Sequence, residues 1–276
     1  MKTYAALDVR SDACDLLLAL VDDFRPTAVE ERAAAIIRIF FSTTADRDEA
    51  QRALVPRFEV TSLEVDDEDW ARRSQENLKP ITVGRITVTP PWAAISHRPF
   101  AMSQQPSAMV QIVIVPSMGF GTGHHVTTRL CLAALQAIDL ADRTVLDVGT
   151  GSGVLAIAAD LLGAARAIGL DCDEDAIQSA RENLELNPDA RHVTFETVAL
   201  AARALPPADV VTANLTGALL VRSAPALLAA VRPGGMLILS GIQSHERDEV
   251  RQAFAAAAVG WERDEDGWVG IAVKKP

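Results

Sequence analysis

Apolar positions along the chain change their period several times, and the changes mark out elements. Tyr4–Val9 reads as a strand. Leu16, Leu17, Leu20 and Val21 then recur at helical spacing behind Asp12, a residue suited to capping a helix. Ala28–Arg32 and Ala34–Phe41 read as two further strands, the second carrying Ile36, Ile37, Ile39 and Phe40. Thr43 or Thr44 is placed to cap a helix that runs to Leu54; Pro56 breaks it, and Phe58–Val65 is a fourth strand. The order β-α-β-β-α-β predicts a ferredoxin-like α+β unit over residues 1–65. Asp66-Asp67-Glu68-Asp69, ahead of Trp70, reads as the start of a solvated helical connector over 66–78, with acids at the positive end of its dipole.

Beyond Lys79-Pro80, Gly84–Thr89 alternates as a strand should, and Gln111–Val115 is an apolar strand expected to pair with it. Ala93–Ala108, with Pro99 and Pro106, reads as a loop. The run from Gly119 to Thr128 is a glycine-rich turn leading into an amphipathic helix with Leu130, Leu132, Leu135 and Ile138, which Thr127 or Thr128 is placed to cap. Strands and helices then alternate. The expected strands are Thr144–Val148, Ala167–Leu170, Val193–Glu196, Ala208–Ala213 and Met236–Ser240. The expected helices are Gly153–Leu162, one capped by Asp173, Leu219–Val231 and Glu249–Ala258. Val259–Arg263 and Trp268–Val273 flank Asp264-Glu265-Asp266-Gly267, the spacing of a hairpin, so the last strand should be antiparallel. This alternation predicts a second domain over 79–276: α/β, Rossmann-like, with seven strands.

Composition narrows the setting. Of 276 residues 49% are apolar, enough for a sizeable core, and no run of eighteen apolar residues exists to span a membrane. The start, Met1-Lys2-Thr3-Tyr4-Ala5, runs into Asp8 and Asp12 and does not read as a signal peptide. Cys14, Cys131 and Cys172 are odd in number and far apart, which fits a reducing cytoplasm and neither a disulfide framework nor a metal cluster. The net charge of −11 argues against a nucleic-acid binder and suits a basic protein partner. Between Glu76 and Asp139 there is no acidic residue, while Lys79, Arg85, Arg98 and Arg129 fall there.

The chemistry centres on Val145-Leu146-Asp147-Val148-Gly149-Thr150-Gly151-Ser152-Gly153, a strand that breaks into alternating glycines and restarts as a helix. Glycine is needed where the chain turns with positive φ or a ligand approaches the backbone. Val154 stands where a dinucleotide fingerprint wants its last glycine, and Asp147 lies two residues before the first. Both details favour S-adenosylmethionine (SAM) over NAD. Asp171 ends the second strand 22 residues after Gly149, where a carboxylate can accept from both ribose hydroxyls. Asp147 reads as support for the loop. His124-His125 lacks a third ligand at metal spacing, and His245-Glu246 lacks a second histidine, so no metal is expected.

Leu146–Gly153, Gly169-Leu170-Asp171, Asn214-Leu215 and Pro233-Gly234-Gly235, with the closing hairpin, resemble the class I SAM-dependent methyltransferases. Phe120-Gly121-Thr122-Gly123-His124-His125-Val126-Thr127-Thr128 resembles the narrower signature of the PrmA family, as do Asp69-Trp70, Lys79-Pro80 and Val88-Thr89-Pro90-Pro91-Trp92. The resemblance implies a monomeric cytoplasmic enzyme that methylates lysine side chains and the N-terminal amine of large-subunit ribosomal protein L11. It places cofactor contacts on Thr128, Gly149, Asp171 and Asn214, with Gly151 in the closing loop. Asn214 is expected to orient the accepting amine, and residues 1–65 to dock the substrate. Val115-Pro116-Ser117, Ser74, Asn187-Pro188 and the long loop Ala93–Ala108 depart from the family pattern, and these departures bear on the acceptor more than on the cofactor. The rival readings are a methyltransferase with another protein or small-molecule acceptor, a nicotinamide oxidoreductase, and a SAM-binding module without activity.

Overall fold

The computed structural model describes residues 3–11, 17, 21, 24, 26–32, 35–66, 79–94, 109–115, 125–198 and 204–276. The expectations for Asp12 and Cys14, the connector beyond Asp66 with Trp70 and Ser74, most of the loop Ala93–Ala108, Pro116-Ser117 and the turn Gly119–His124 fall outside those residues. Contacts divide the chain into two compact units, Met1–Asn77 and Leu78–Pro276.

In the first unit, strands β1 (Thr3–Arg10), β2 (Pro26–Arg32), β3 (Ile36–Phe41) and β4 (Glu59–Asp66) form one sheet in the order β2-β3-β1-β4, every neighbouring pair antiparallel. That order is the ferredoxin-like one. Period-2 alternation sorts the sheet's side chains by face. Leu7, Val9, Ile37, Ile39 and Phe41 pack with Leu17, Val21 and helix α1 (Thr44–Leu54), which contributes Ala50 and Leu54. Ala6, Phe40 and Val65 cluster separately with Tyr4 and Leu63. Thr43 caps α1, its hydroxyl accepting from the Asp46 N–H at 3.1 Å.

The second unit opens on a small sheet. The strand expected over Gly84–Thr89 starts two residues later: β5 (Ile81–Val83), which the sequence reading missed, and β6 (Ile86–Thr89) form a hairpin that turns at Gly84, φ +56°, and β7 (Val110–Val113) pairs in parallel with β6. The alternation was legible, but its glycine marks the turn. The loop expected from Ala93 begins as a short helix, α2 (Pro91–Ala94), with Pro91 opening it.

The main sheet has seven strands: β8 (Thr144–Val148), β9 (Arg166–Asp171), β10 (Val193–Thr197), β11 (Ala208–Asn214), β12 (Val231–Gln243), β13 (Ala258–Glu265) and β14 (Trp268–Lys274). Their order is β10-β9-β8-β11-β12-β14-β13. The pairs among β10, β9, β8, β11 and β12 are parallel, and β14 runs antiparallel to both its neighbours. Asp266 and Gly267, both at positive φ, make the two-residue turn of the closing hairpin.

Helices α3 (Val126–Gln136), α4 (Val154–Leu161) and α5 (Glu174–Glu185) share one core with Val145, Val210 and Ile238. Helices α6 (Gly217–Ala230) and α7 (Arg247–Ala253) share the other with Leu146, Val211, Leu237 and Leu239. Adjacent strand residues thus feed opposite cores, which explains why these strands read as unbroken apolar runs. The expected helix Leu219–Val231 starts two residues earlier, at Gly217, and the expected Glu249–Ala258 is shorter, with Ala258 already opening β13. Strand order reverses at β8, whose neighbours are β9 and β11, so a ligand crevice belongs at the carboxyl ends of these strands. Among the described residues, no helix is long and apolar enough to cross a membrane.

Candidate functional site

The glycine loop leaves β8 with Gly149, Gly151 and Gly153 at φ +73°, +52° and +82°, a sequence of left-handed turns that only glycine makes without strain. Its backbone amides are largely used within the protein. Gly149 and Thr150 donate to the Leu170 carbonyl at 2.8 and 2.9 Å, and Gly153 donates to the Thr150 carbonyl at 2.9 Å. Gly151 donates to Asp171 Oδ2 at 3.0 Å, while Asp171 Oδ1 accepts from the Asp173 N–H at 3.1 Å. A carboxylate therefore already stands where a dinucleotide-binding turn would offer its amides to a pyrophosphate, and a second anion there would be repelled. This geometry disfavours the nicotinamide reading. Each Asp171 oxygen retains a lone pair for a hydroxyl donor.

Asp147 lies beneath the loop, 1% exposed. Its two oxygens accept from the hydroxyls of Thr150 and Thr212, each at 2.6 Å. Thr212 faces Asp147 across the β8–β11 register, two residues before Asn214. One carboxylate thus ties the glycine loop to the strand that carries Asn214. Burial pushes its pKa up to about 6, and the two hydroxyls pull the other way without cancelling it. Neighbouring Cys131 is fully buried, and desolvation raises its thiol well beyond reactivity.

Asn214 ends β11. Its Nδ2 donates to Thr128 Oγ1 across a long 3.5 Å contact, and among the described residues its Oδ1 has no hydrogen-bond partner. Thr128, 1% exposed, lies in the first turn of α3. The N-cap of α3 is neither Thr127 nor Thr128 but His125, whose Nδ1 accepts from the Thr127 N–H at 3.4 Å and shares a 2.8 Å hydrogen bond with the Thr127 hydroxyl. The imidazole takes the cap and leaves Thr128 free to face Asn214. Burial, and then Arg129, lower the His125 pKa, so the ring is neutral at pH 7. It packs edge-on against Trp268, with centroids 4.8 Å apart, and Arg129 is paired with Glu265 at 2.5 Å.

The structure therefore draws the expected residues into two pairs, Gly151 with Asp171 at the end of β9 and Thr128 with Asn214 at the end of β11, on either side of β8. Gly149 sits beside the second pair: a Cβ there would lie 2.4 Å from Leu215 Cδ2. Several contributors escaped the sequence reading. Gly241, φ +85°, lets the Leu215 backbone pass so closely that a Cβ would lie 2.2 Å from its carbonyl oxygen. A glycine inside the apolar strand β12 was the available signal. Thr150 and Thr212 gave none, because only the sheet register brings them to Asp147.

Three comparisons bear on this site. A family model described as ribosomal protein L11 methyltransferase (PrmA) matches residues 22–276. A Deinococcus radiodurans protein described as ribosomal protein L11 methyltransferase is 36% identical over 277 residues, covering 98% of this chain and 90% of the relative. One of the same description from Azotobacter vinelandii is 43% identical over 220 residues, 79% of this chain and 71% of the relative. The crystal structure of a ribosomal protein L11 methylase from Lactobacillus delbrueckii subsp. bulgaricus superposes with a TM-score of 0.61 at 27% identity, covering 72% of this chain and 99% of that one.

Proposed function

The chain belongs to the ribosomal protein L11 methyltransferase (PrmA) family, and from that membership we propose that it transfers methyl groups from SAM to the amines of L11, both lysine side chains and the N-terminal α-amine. The observation that carries the amine reading is the placement of Asn214: an amide oxygen without a partner among the described residues, at the tip of a central strand, beside the glycine loop.

SAM supplies a methyl already made electrophilic by its sulfonium, so the chain's task is to hold a neutral amine in position. Holding reactants in the right orientation can lower a barrier by about 7–11 kcal/mol. Asn214 Oδ1 accepts an N–H of the amine and turns its lone pair toward the donor. Thr128 restrains the amide by taking its Nδ2. Gly149 and Gly151 would let the loop lie close to the methionine end, and Asp171 would accept from the ribose hydroxyls. Asp147 is occupied by two threonine hydroxyls and holds the loop rather than moving a proton. Neutral His125 and the Glu265-paired Arg129 add no free cation beside an incoming ammonium, which loses its proton to solvent. The first unit docks L11, and the chain's net charge of −11 attracts a basic substrate in the cytoplasm.

Incubation with methyl-labelled SAM and purified L11, followed by peptide mass spectrometry, tests this. Label on L11 lysines and its α-amine is expected. Label in other proteins of a lysate but none in L11 overturns the acceptor assignment.

A further inference from the structure

Helix α5 presents charged and polar side chains to solvent over most of its length, yet Asn183 near its C-terminal end is wholly buried. Asparagine is a poor helix former, and burying its amide is costly unless every polar atom is paired. Here both ends are paired with backbone from distant segments. Asn183 Nδ2 donates to the Ser152 carbonyl at 2.9 Å, and Asn183 Oδ1 accepts from the Val115 N–H at 2.8 Å. Ser152 lies between Gly151 and Gly153, so the first contact is with the glycine loop itself. Val115 lies two residues past the end of β7.

One helical turn on, Asn187 makes the matching contact on the same edge. Its Oδ1 accepts from the Val113 N–H at 2.8 Å, and its Nδ2 donates to the Val113 carbonyl at 2.7 Å. Asn187 lies just past the C-cap Leu186 of α5, bonded back to Asn183, and residues two apart on an extended chain share an edge. The two amides thus meet successive groups of the segment 113–115 as a neighbouring strand would. They differ in what else they hold: Asn183 Nδ2 reaches the glycine loop, whereas Asn187 Nδ2 also donates to the Asn183 carbonyl at 2.7 Å, and no bond of Asn187 reaches the loop.

We propose that Asn183 is a positioning residue for the methyl donor, fixing the Ser152 peptide of the glycine loop to the segment that ends at Val115 so that the loop is set before SAM arrives. The proposal rests on the reading of Gly149–Gly153 as part of the SAM site. The Ser152 carbonyl sits between two left-handed glycines, a backbone with many accessible conformations once released. Asn183 removes that freedom with a bond to a rigid helix, and binding then orders less of the loop.

Asn183→Leu and Asn187→Leu, in the full chain, separate positioning from stability. Each removes a buried amide and should lower the melting temperature. Well below that temperature, Asn183→Leu is expected to weaken SAM binding by calorimetry, and to raise KM for SAM, about tenfold, the scale of one buried hydrogen bond lost. Its KM for L11 should stay unchanged, and Asn187→Leu should bind SAM as the wild type does. Asn183→Asp keeps the shape and is informative even if the leucine variant fails to fold. A carboxylate keeps the acceptor for Val115 but has no donor for Ser152. Its SAM affinity should be lost near about pH 8 and recover toward about pH 6 as the buried acid takes up a proton. Equal losses of SAM affinity in the Asn183 and Asn187 variants, or an Asn183→Asp variant that binds SAM normally at every pH, overturn the proposal alone. Wild-type protein that binds no SAM overturns the site reading beneath it.

Discussion

At the scale of single residues, Asn214 and Asp147 show two ways in which a polar group serves the site. Asn214 acts through what its oxygen leaves open. Asn214→Ala removes the acceptor for the amine, so kcat on L11 should fall about a hundredfold, the cost of a misplaced reactant, well beyond any loss of SAM affinity measured by calorimetry. Turnover intact in that variant would remove Asn214 from the mechanism. Asp147 acts through what it ties together, and its burial has a measurable consequence. Its folded-state pKa of about 6 lies above its ordinary 3.8, so the folded chain holds this proton more tightly than the unfolded chain. Stability from this group is greatest below pH 4 and falls as pH rises toward 6, by about 3 kcal/mol in all. Asp147→Asn lacks that slope. Urea unfolding at intervals between pH 4 and 8 should show the variant gaining on wild type up to about pH 6 and holding a constant difference above it. A difference independent of pH would mean that Asp147 does not carry the raised pKa. The places of Asn214 and Asp171 at strand ends were legible in the sequence because each ends an apolar run, and strand ends are where this class of sheet binds ligands. The hydroxyls on Asp147 were not, because Thr150 and Thr212 meet it only after folding.

At the scale of elements, strands and helices were legible where one period held over a full turn or ladder. They were not where a single glycine or a remote side chain decided the matter. Gly84 belongs to the turn of a hairpin, so the expected strand starts two residues later and its partner β5 went unread. His125, not a threonine, starts α3, because its ring reaches the Thr127 amide. Asn183 gave no signal on its helix, and Asn187 stood out only as part of a departure from the family pattern; only the paths of residues 113–115 and of the glycine loop give them their partners. Gly241 shows how such a position is tested. It shares a left-handed backbone with Gly267, φ +85° against +79°, but a Cβ at Gly267 meets nothing within 4 Å. Gly267→Ala should therefore lose only the cost of a left-handed alanine, about 1–2 kcal/mol. Gly241→Ala adds a collision with the Leu215 carbonyl and should lose more, about 3–4 kcal/mol, together with activity, since Leu215 follows Asn214. Equal losses in urea unfolding would show that the Leu215 turn yields freely and that Gly241 is there for its φ alone.

At the scale of the whole molecule, the two units have separate cores. The first unit buries Leu7, Val9, Ile37, Ile39 and Phe41 among its own elements, and the second builds its cores on the two faces of the seven-stranded sheet. The residues proposed for the donor site, Thr128, Gly149, Gly151, Asp171 and Asn214, all belong to the second. If the first unit docks the substrate, donor binding and substrate capture should come apart. Residues 79–276 alone are expected to fold, to bind SAM as tightly as the full chain, and to methylate a short unstructured lysine peptide as slowly as the full chain does. On folded L11 their kcat/KM should fall by at least about a hundredfold, most of it in KM, because a docking surface contributes binding that is present before the transition state as well as in it. The full chain's kcat/KM on L11 should also drop as salt is added, since an acidic enzyme steers a basic protein only over the screening length. Equal kcat/KM on L11 with and without residues 1–78 would assign acceptor recognition to the second unit, and the departures from the family pattern around residues 93–117 would then be the place to look for it.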